Sequence, residues 1–269
     1  MATVYRAYDQ VQGQTVALKL LLPGAYEKAY SRFRREAMTA GALRHPHIVP
    51  VITYGEWHGY LYIVMQLIKG PTLESILRHH RFSPLTAWQI VRPITDALEY
   101  GHAHHVLHRD LKPSNIGFTA EGRPKLLDFG LARLFEEEAA RSGDEPLRSL
   151  LGDRAGQGRL TQSRQLAGTP LYLSPEALLG APAAPAQDLW ALFIVLWEAL
   201  AGQHPLDHLS FADSLRALAR AEVPPIDSVR SDVPEPLARL LAAALSLRPD
   251  RRPADAVAAR KALEAALPA

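Results

Sequence analysis

The densest group of chemically active side chains is His108-Arg109-Asp110-Leu111-Lys112-Pro113-Ser114-Asn115, and Asp128-Phe129-Gly130 follows thirteen residues after Asn115. An isolated aspartate in a loop is usually a cap or a solvated charge, and an isolated Asp-Phe-Gly is usually a turn. Six specified residues in this order, with the second motif at this distance, leave those accounts little room. The residue types share a chemical logic. Asn115 and Asp128 offer hard oxygen ligands suited to Mg²⁺. Asp110 can accept the hydrogen of an incoming hydroxyl. Lys112 can neutralise charge on a phosphoryl group as it moves, and such transfer relies on cations set around the phosphate oxygens.

These residues need elements to position them. Thr3 to Tyr8 and Thr15 to Leu20 are β-rich runs separated by a turn around Gly13. A helical pattern from about Glu27 to Leu43 carries Phe33, Ala37 and Ala40 on one side. Two strand-like runs follow, Ile48 to Tyr54 and Tyr60 to Leu67, before Lys69-Gly70-Pro71 interrupts the pattern. Thr72 can cap a short helix through Leu77, and Ser83-Pro84 is an N-cap and first-turn pair opening a long helix to about His104. Pro93 inside it predicts a kink or a lost hydrogen bond. Short apolar runs flank Asp110 and Asp128. The polar stretch from Glu136 to Gln165 has no clear period and reads as a loop. Helices are expected again from about Asp188, Pro236 and Ala254. His102, His104 and His105 sit at a helix end with no carboxylate cluster nearby, so a capping or surface role is expected rather than a metal site.

The bulk numbers bound the class. The chain has 269 residues, of which 48% are hydrophobic, enough for one large domain or two small lobes and against disorder. Lys and Arg number 30 and Asp and Glu 28, a balance of +2 that makes no electrostatic case for nucleic acid or a membrane surface. There are no cysteines, which excludes disulfides, thiolate metal sites and a cysteine nucleophile and fits a cytoplasmic location. The N-terminus lacks a secretory signal pattern. The longest apolar run, Leu189 to Leu196 extended by Trp197, is short of the roughly 20 residues that span a bilayer and reads as a buried helix.

With both motifs in place, the chain resembles the protein kinase family over essentially its whole length, and the bacterial Ser/Thr kinases of eukaryotic type in particular. The resemblance implies an α+β, two-lobed fold: a small β-rich lobe over 1–68, a larger helical lobe over 69–269, and an activation segment over 128–176. It implies ATP with Mg²⁺ (or Mn²⁺) and phosphoryl transfer to protein Ser/Thr hydroxyls, with Asp110 orienting or deprotonating the acceptor. Val16-Ala17-Leu18-Lys19 is similar to the strand whose Lys19 contacts the ATP phosphates, with Glu36 its partner. An unpaired charge ending that apolar run would be costly. Val4 and Ala17 fall at nucleotide-contacting positions. Met65 resembles the gatekeeper, and the backbones of Gln66 and Ile68 would bond the adenine. Gly168-Thr169-Pro170 and Ser174-Pro175-Glu176 resemble the end of the activation segment, with Glu176 paired to Arg252 and Asp188 bracing the catalytic loop. Lys112 and Thr169 are the family features that favour Ser/Thr over Tyr. Arg109 resembles the arginine of kinases switched on by a loop phosphate, with Thr161 and Ser163 ahead of Ser142 and Ser149 as acceptors. Self-phosphorylation in trans is expected on the same ground.

The pattern departs from the family at one end. Met1 falls just after the second glycine of the family's Gly-x-Gly-x-x-Gly, and Ala2 takes the third glycine's place. The expectation is a start site upstream of Met1. The alternative is a short form that binds nucleotide as a weak or inactive pseudokinase or scaffold. Gly117, where a bulkier residue usually floors the adenine pocket, and Phe193, in place of a common glycine, are smaller departures.

Overall fold

The computed structural model describes residues 2–21, 27–129 and 170–267; the side chains of 2, 21, 27–32, 35 and 36 fall outside that description. Strand β1 (Ala2–Asp9) turns back into β2 (Gln14–Leu21). Asp9 closes the turn by accepting from Val11 N and Gln12 N at 2.9 and 3.0 Å, and Gly13 supplies the left-handed φ of +65°. Strands β3 (Val51–Trp57) and β4 (Tyr60–Gln66) are joined by His58-Gly59, both at positive φ, the two-residue turn whose twist suits a hairpin. The sheet order is β1-β2-β4-β3, and every pair is antiparallel.

Register decides which residues share a face. Val4 pairs with Lys19, Lys19 with Ile63, and Ala17 with Met65. Side chains alternate along a strand, so Val4, Ala17, Lys19, Ile63 and Met65 lie on one face; a slip of one residue would turn all of them over. Helix α1 (Glu27–Ala42) covers part of that face, with Phe33, Ala37 and Ala40 packed on Ile63, Leu61 and Met65 in a small core.

The second core is larger and helical. Helix α2 (Leu73–Leu77) starts at Thr72, whose hydroxyl accepts from Ser75 N. Helix α3 (Pro84–Ala103) starts at Ser83, whose hydroxyl accepts from Thr86 N, and it runs on through Pro93. The hairpin β5 (Ile116–Phe118) and β6 (Pro124–Leu126) follows. Beyond it come the single turn α4 (Pro175–Leu178), then α5 (Pro185–Ala201), α6 (Phe211–Ala219), α7 (Glu235–Ala244) and α8 (Ala256–Ala266). The apolar run 189–197 is the buried middle of α5, and α3 packs on α5 and α8. Among the described residues no helix is long and apolar enough to cross a membrane.

Two expectations need correction. The run from Ile48 pairs as a strand only from Val51 and extends to Trp57. Ile48 instead makes a single parallel bridge to Leu126, a tie that tertiary contact creates. Helix α6 was not anticipated. Its signal was Ser210-x-x-Asp213, where the serine hydroxyl accepts from Asp213 N and donates to the Asp213 carboxylate.

Candidate active site

The site is built where α3 stops. His105 takes a left-handed φ of +59°, its N–H donates to His102 O at 3.0 Å, and Val106 N–H donates to Gly101 O at 2.9 Å. This pair of bonds closes the helix and turns the chain into the loop that follows. The capping role expected for the histidines is shared: His104 is the C-cap residue, with its Nδ1 2.8 Å from Tyr100 O, and His105 supplies the left-handed turn that follows. His102 departs from the expectation: its side chain is nearly buried, with Nε2 2.8 Å from Asp188 Oδ2.

Asp188, in the first turn of α5, organises the loop from below. Its carboxylate accepts from His108 N at 2.8 Å and from Arg109 N at 2.7 Å, in addition to the His102 contact. Its side chain is only 2% exposed. Burial would raise its pKa, but the hydrogen bond from His102 and the neighbouring imidazole and amide groups outweigh that and hold the carboxyl below its ordinary value. These bonds pin Arg109 at a φ of +66°, a conformation a non-glycine residue keeps only when its surroundings enforce it.

Above this brace the three candidate catalytic residues touch. Lys112 Nζ donates to Asp110 Oδ1 at 3.0 Å and lies 2.9 Å from Oδ2. Asn115, in the 3₁₀ turn Pro113–Asn115, donates from Nδ2 to Asp110 O at 2.7 Å and to Asp110 Oδ2 at 2.9 Å. Leu127 N–H donates to Asn115 O at 2.9 Å, so the segment after β6 that carries Asp128 is fastened to the loop carrying Asp110. Asp128 adopts φ +56°, and its Oδ2 is 2.7 Å from Lys19 Nζ on β2, which joins the two lobes across the cleft. Phe129 is buried against the His108 ring, edge to face at 5.2 Å.

The donor set fits a divalent cation and a nucleotide. Asn115 uses both amide hydrogens on Asp110, which leaves its carbonyl oxygen as an acceptor for a cation. Asp128 adds a carboxylate next to a buried ammonium. Among the described residues there is no cluster of three or more His, Cys, Asp or Glu side chains able to hold a metal. The oxygens of Asn115 and Asp128 suit Mg²⁺, which is commonly held by one or two protein oxygens plus phosphates. In the expected hinge, Gln66 N–H donates to Pro50 O at 3.1 Å. Met65 is buried, Ala17 and Ile68 are half-buried, and Val4 is exposed. At Gly117 a β-carbon would come within 3.2 Å of Ile68 Cγ2, so the Ile68 side chain takes up the room a larger residue at 117 would need.

Some expectations lie outside the described residues: the side chain of Glu36, Gly130, Gly168, Thr169, the segment 136–165, and the hydroxyls at 142, 149, 161 and 163. The expected pair Glu176–Arg252 is present and bidentate, at 2.7 and 3.1 Å. The guanidinium also donates to Ser246 O at 2.8 Å and stacks over Trp190.

Beside Lys112 opens a cavity of about 320 Å³ lined in part by Glu74, Tyr172, Glu198, His204 and Asp207. Sequence reading missed this group. Tyr172 Oη donates to Glu198 Oε2 at 2.7 Å. Burial first, then the charges of Asp207 and Glu74, push the Glu198 carboxyl up to about 7 despite that bond. Burial pushes His204 down to about 4. A carboxyl with a raised folded pKa adds stability below its unfolded value of 4.5, and this is lost as pH rises to about 7. Glu198→Gln mimics the protonated acid at all pH values. Its stability relative to wild type is therefore expected to climb by up to about 3 kcal/mol across that window and then level off, as read by urea denaturation at stepped pH. A flat difference between pH 4.5 and 7 would show that Glu198 titrates normally.

Comparison with known proteins agrees with this geometry. A family model described as the protein kinase domain matches residues 1–266. The serine/threonine-protein kinase PknD of Mycobacterium tuberculosis is 37% identical over 226 residues, covering 83% of this chain and 30% of PknD. PknH of the same species is 32% identical over 261 residues, covering 95% of this chain and 38% of PknH. The chain thus spans about a third of the length of these curated relatives. The crystal structure of the M. tuberculosis PknI kinase domain superposes with a TM-score of 0.73 at 25% identity, over 99% of this chain and 92% of that one. With its two lobes, its joined Asp110–Asn115–Asp128 cleft and a family match across nearly all of its length, this chain belongs to the protein kinase family.

Proposed function

We propose that this chain transfers the terminal phosphoryl group of ATP, as its Mg²⁺ complex, to Ser or Thr hydroxyls of proteins, a second copy of itself included. The observation that carries the reading is the linked set at the cleft: Asp110 held by Lys112 and Asn115, and Asn115 fastened through Leu127 to the segment that sets Asp128 against Lys19. Bound Mg²⁺-ATP supplies the phosphoryl group and the cationic charge that offsets its oxygens. Asn115 and Asp128 hold the cation, and Mn²⁺ can take the same oxygen ligands. Lys19, supported by Glu36, holds the phosphates. Val4, Ala17 and Met65 line the nucleotide face, with main-chain groups of Gln66 and Ile68 at the adenine edge. Asp110 receives the hydrogen of the acceptor hydroxyl and points its oxygen at the phosphorus. Lys112, already at Asp110, neutralises the phosphoryl oxygens during transfer.

In this reading 1–68 forms the nucleotide-covering lobe, 69–269 the acceptor-binding lobe and 128–176 the activation segment. A cytoplasmic setting suits the cysteine-free composition. Ser/Thr preference rests on Lys112 and on the names of the relatives. The test is γ-labelled ATP with a Ser- and Thr-rich acceptor protein, with and without EDTA. Metal-dependent label on Ser or Thr is the expected result. Nucleotide binding without transfer would instead establish the pseudokinase alternative.

A further inference from the structure

Gly101 lies in the last turn of α3 at an ordinary helical position, where glycine costs roughly 1 kcal/mol relative to alanine. Backbone conformation gives no reason for it. Space does: a β-carbon there would sit 2.6 Å from Phe129 Cε1, closer still to Phe129 Cζ, and 3.2 Å from Val106 O. The Phe129 ring therefore occupies the volume in which a side chain at 101 would begin. The ring cannot readily move aside, because it is buried and lies edge-on to His108, whose Nε2 is 2.9 Å from Leu127 O. Asp128 stands between Leu127 and Phe129, in the left-handed region, with its carboxylate on Lys19.

We propose that Gly101 is a positioning residue for Asp128: the empty space at 101 sets the depth of the Phe129 ring, and that depth sets where the Asp128 carboxylate meets the metal–nucleotide complex. The inference rests on the proposed role of Asp128 but concerns a residue that touches neither nucleotide nor acceptor. Restoring ordinary contact at 101 moves the ring by on the order of 1 Å, and the residue just before it in the chain carries the carboxylate.

The test measures binding of a fluorescent ATP analogue against Mg²⁺ concentration, well below the melting temperature, for wild type, Gly101→Ala, Phe129→Leu and the double variant. Gly101→Ala is expected to shift the Mg²⁺ midpoint upward by about tenfold or more. Leucine at 129 removes the outer ring atoms, so the double variant is expected to match Phe129→Leu alone. An unchanged midpoint in Gly101→Ala overturns the inference. So does a double variant that is additive, or that fails to fold along with Gly101→Ala, since the crowding then lies with Val106. Recovery of folding and of the midpoint in the double variant supports it even if Gly101→Ala is too unstable to measure. A wild type that binds Mg²⁺-nucleotide yet transfers no phosphate would end the proposed function and leave this inference to be judged on binding; a wild type with no Mg²⁺-dependent binding would end both.

Discussion

Asp110→Asn is expected to lower the rate of phosphoryl transfer by about 10²–10⁴-fold, the range associated with loss of a positioned acid–base group, while Mg²⁺-ATP binding stays near wild type. The separation follows from the geometry. Asn115 donates to the Asp110 main-chain oxygen as well as to Oδ2, and an asparagine at 110 still presents one side-chain oxygen to it. The loop, the amide of Asn115 and the distant Lys19–Asp128 pair therefore keep their places. What is lost is the basic oxygen proposed to receive the hydroxyl hydrogen, and the charge that holds Lys112. Steady-state kinetics with a protein acceptor, beside direct nucleotide binding, measures both halves. A variant that keeps more than about a tenth of the wild-type rate would remove Asp110 from the role assigned to it.

Asp188→Ala is expected to destabilise the chain by about 3–5 kcal/mol, the cost of breaking a buried polar network on one side only, and to reduce transfer although residue 188 lies beneath the reacting groups. The change leaves His108 N, Arg109 N and His102 Nε2 without their acceptor in a dry interior. It also releases Arg109, whose positive φ those bonds enforce, and Asp110 is the next residue. Urea denaturation measures the first effect. The second appears at low temperature, where the folded fraction is still high, as a fall in kcat rather than in nucleotide affinity. Asp188→Asn keeps acceptor capacity and should fall between the two. Stability within 1 kcal/mol of wild type for Asp188→Ala would show that the loop is held by other contacts.

Much of the fold was legible because its signals are local. Thr72 and Ser83 announced two helix starts, and the period of Phe33, Ala37 and Ala40 marked the buried side of α1. The failures were of the opposite kind. Ile48 has the side chain of a strand residue, but its pairing is decided by Leu126, far along the chain. Helix α6 was overlooked because its cap carries aspartate where glutamate or glutamine is the familiar partner.

The same division runs through the site. The chain order of Asp110, Lys112, Asn115 and Asp128 determined the available chemistry, because hard oxygen donors and a cation at those spacings suit little else. The tertiary structure alone decided who holds them. His102 became a partner of Asp188 because α3 and α5 pack together, and Glu198 acquired its raised pKa from burial beside Asp207 and Glu74. Gly101 gained its meaning from a ring twenty-eight residues later in the chain. Residue types and short spacings fix what a group can do; burial, close approach and the company of distant charges arise only when remote segments meet, and no local pattern records them.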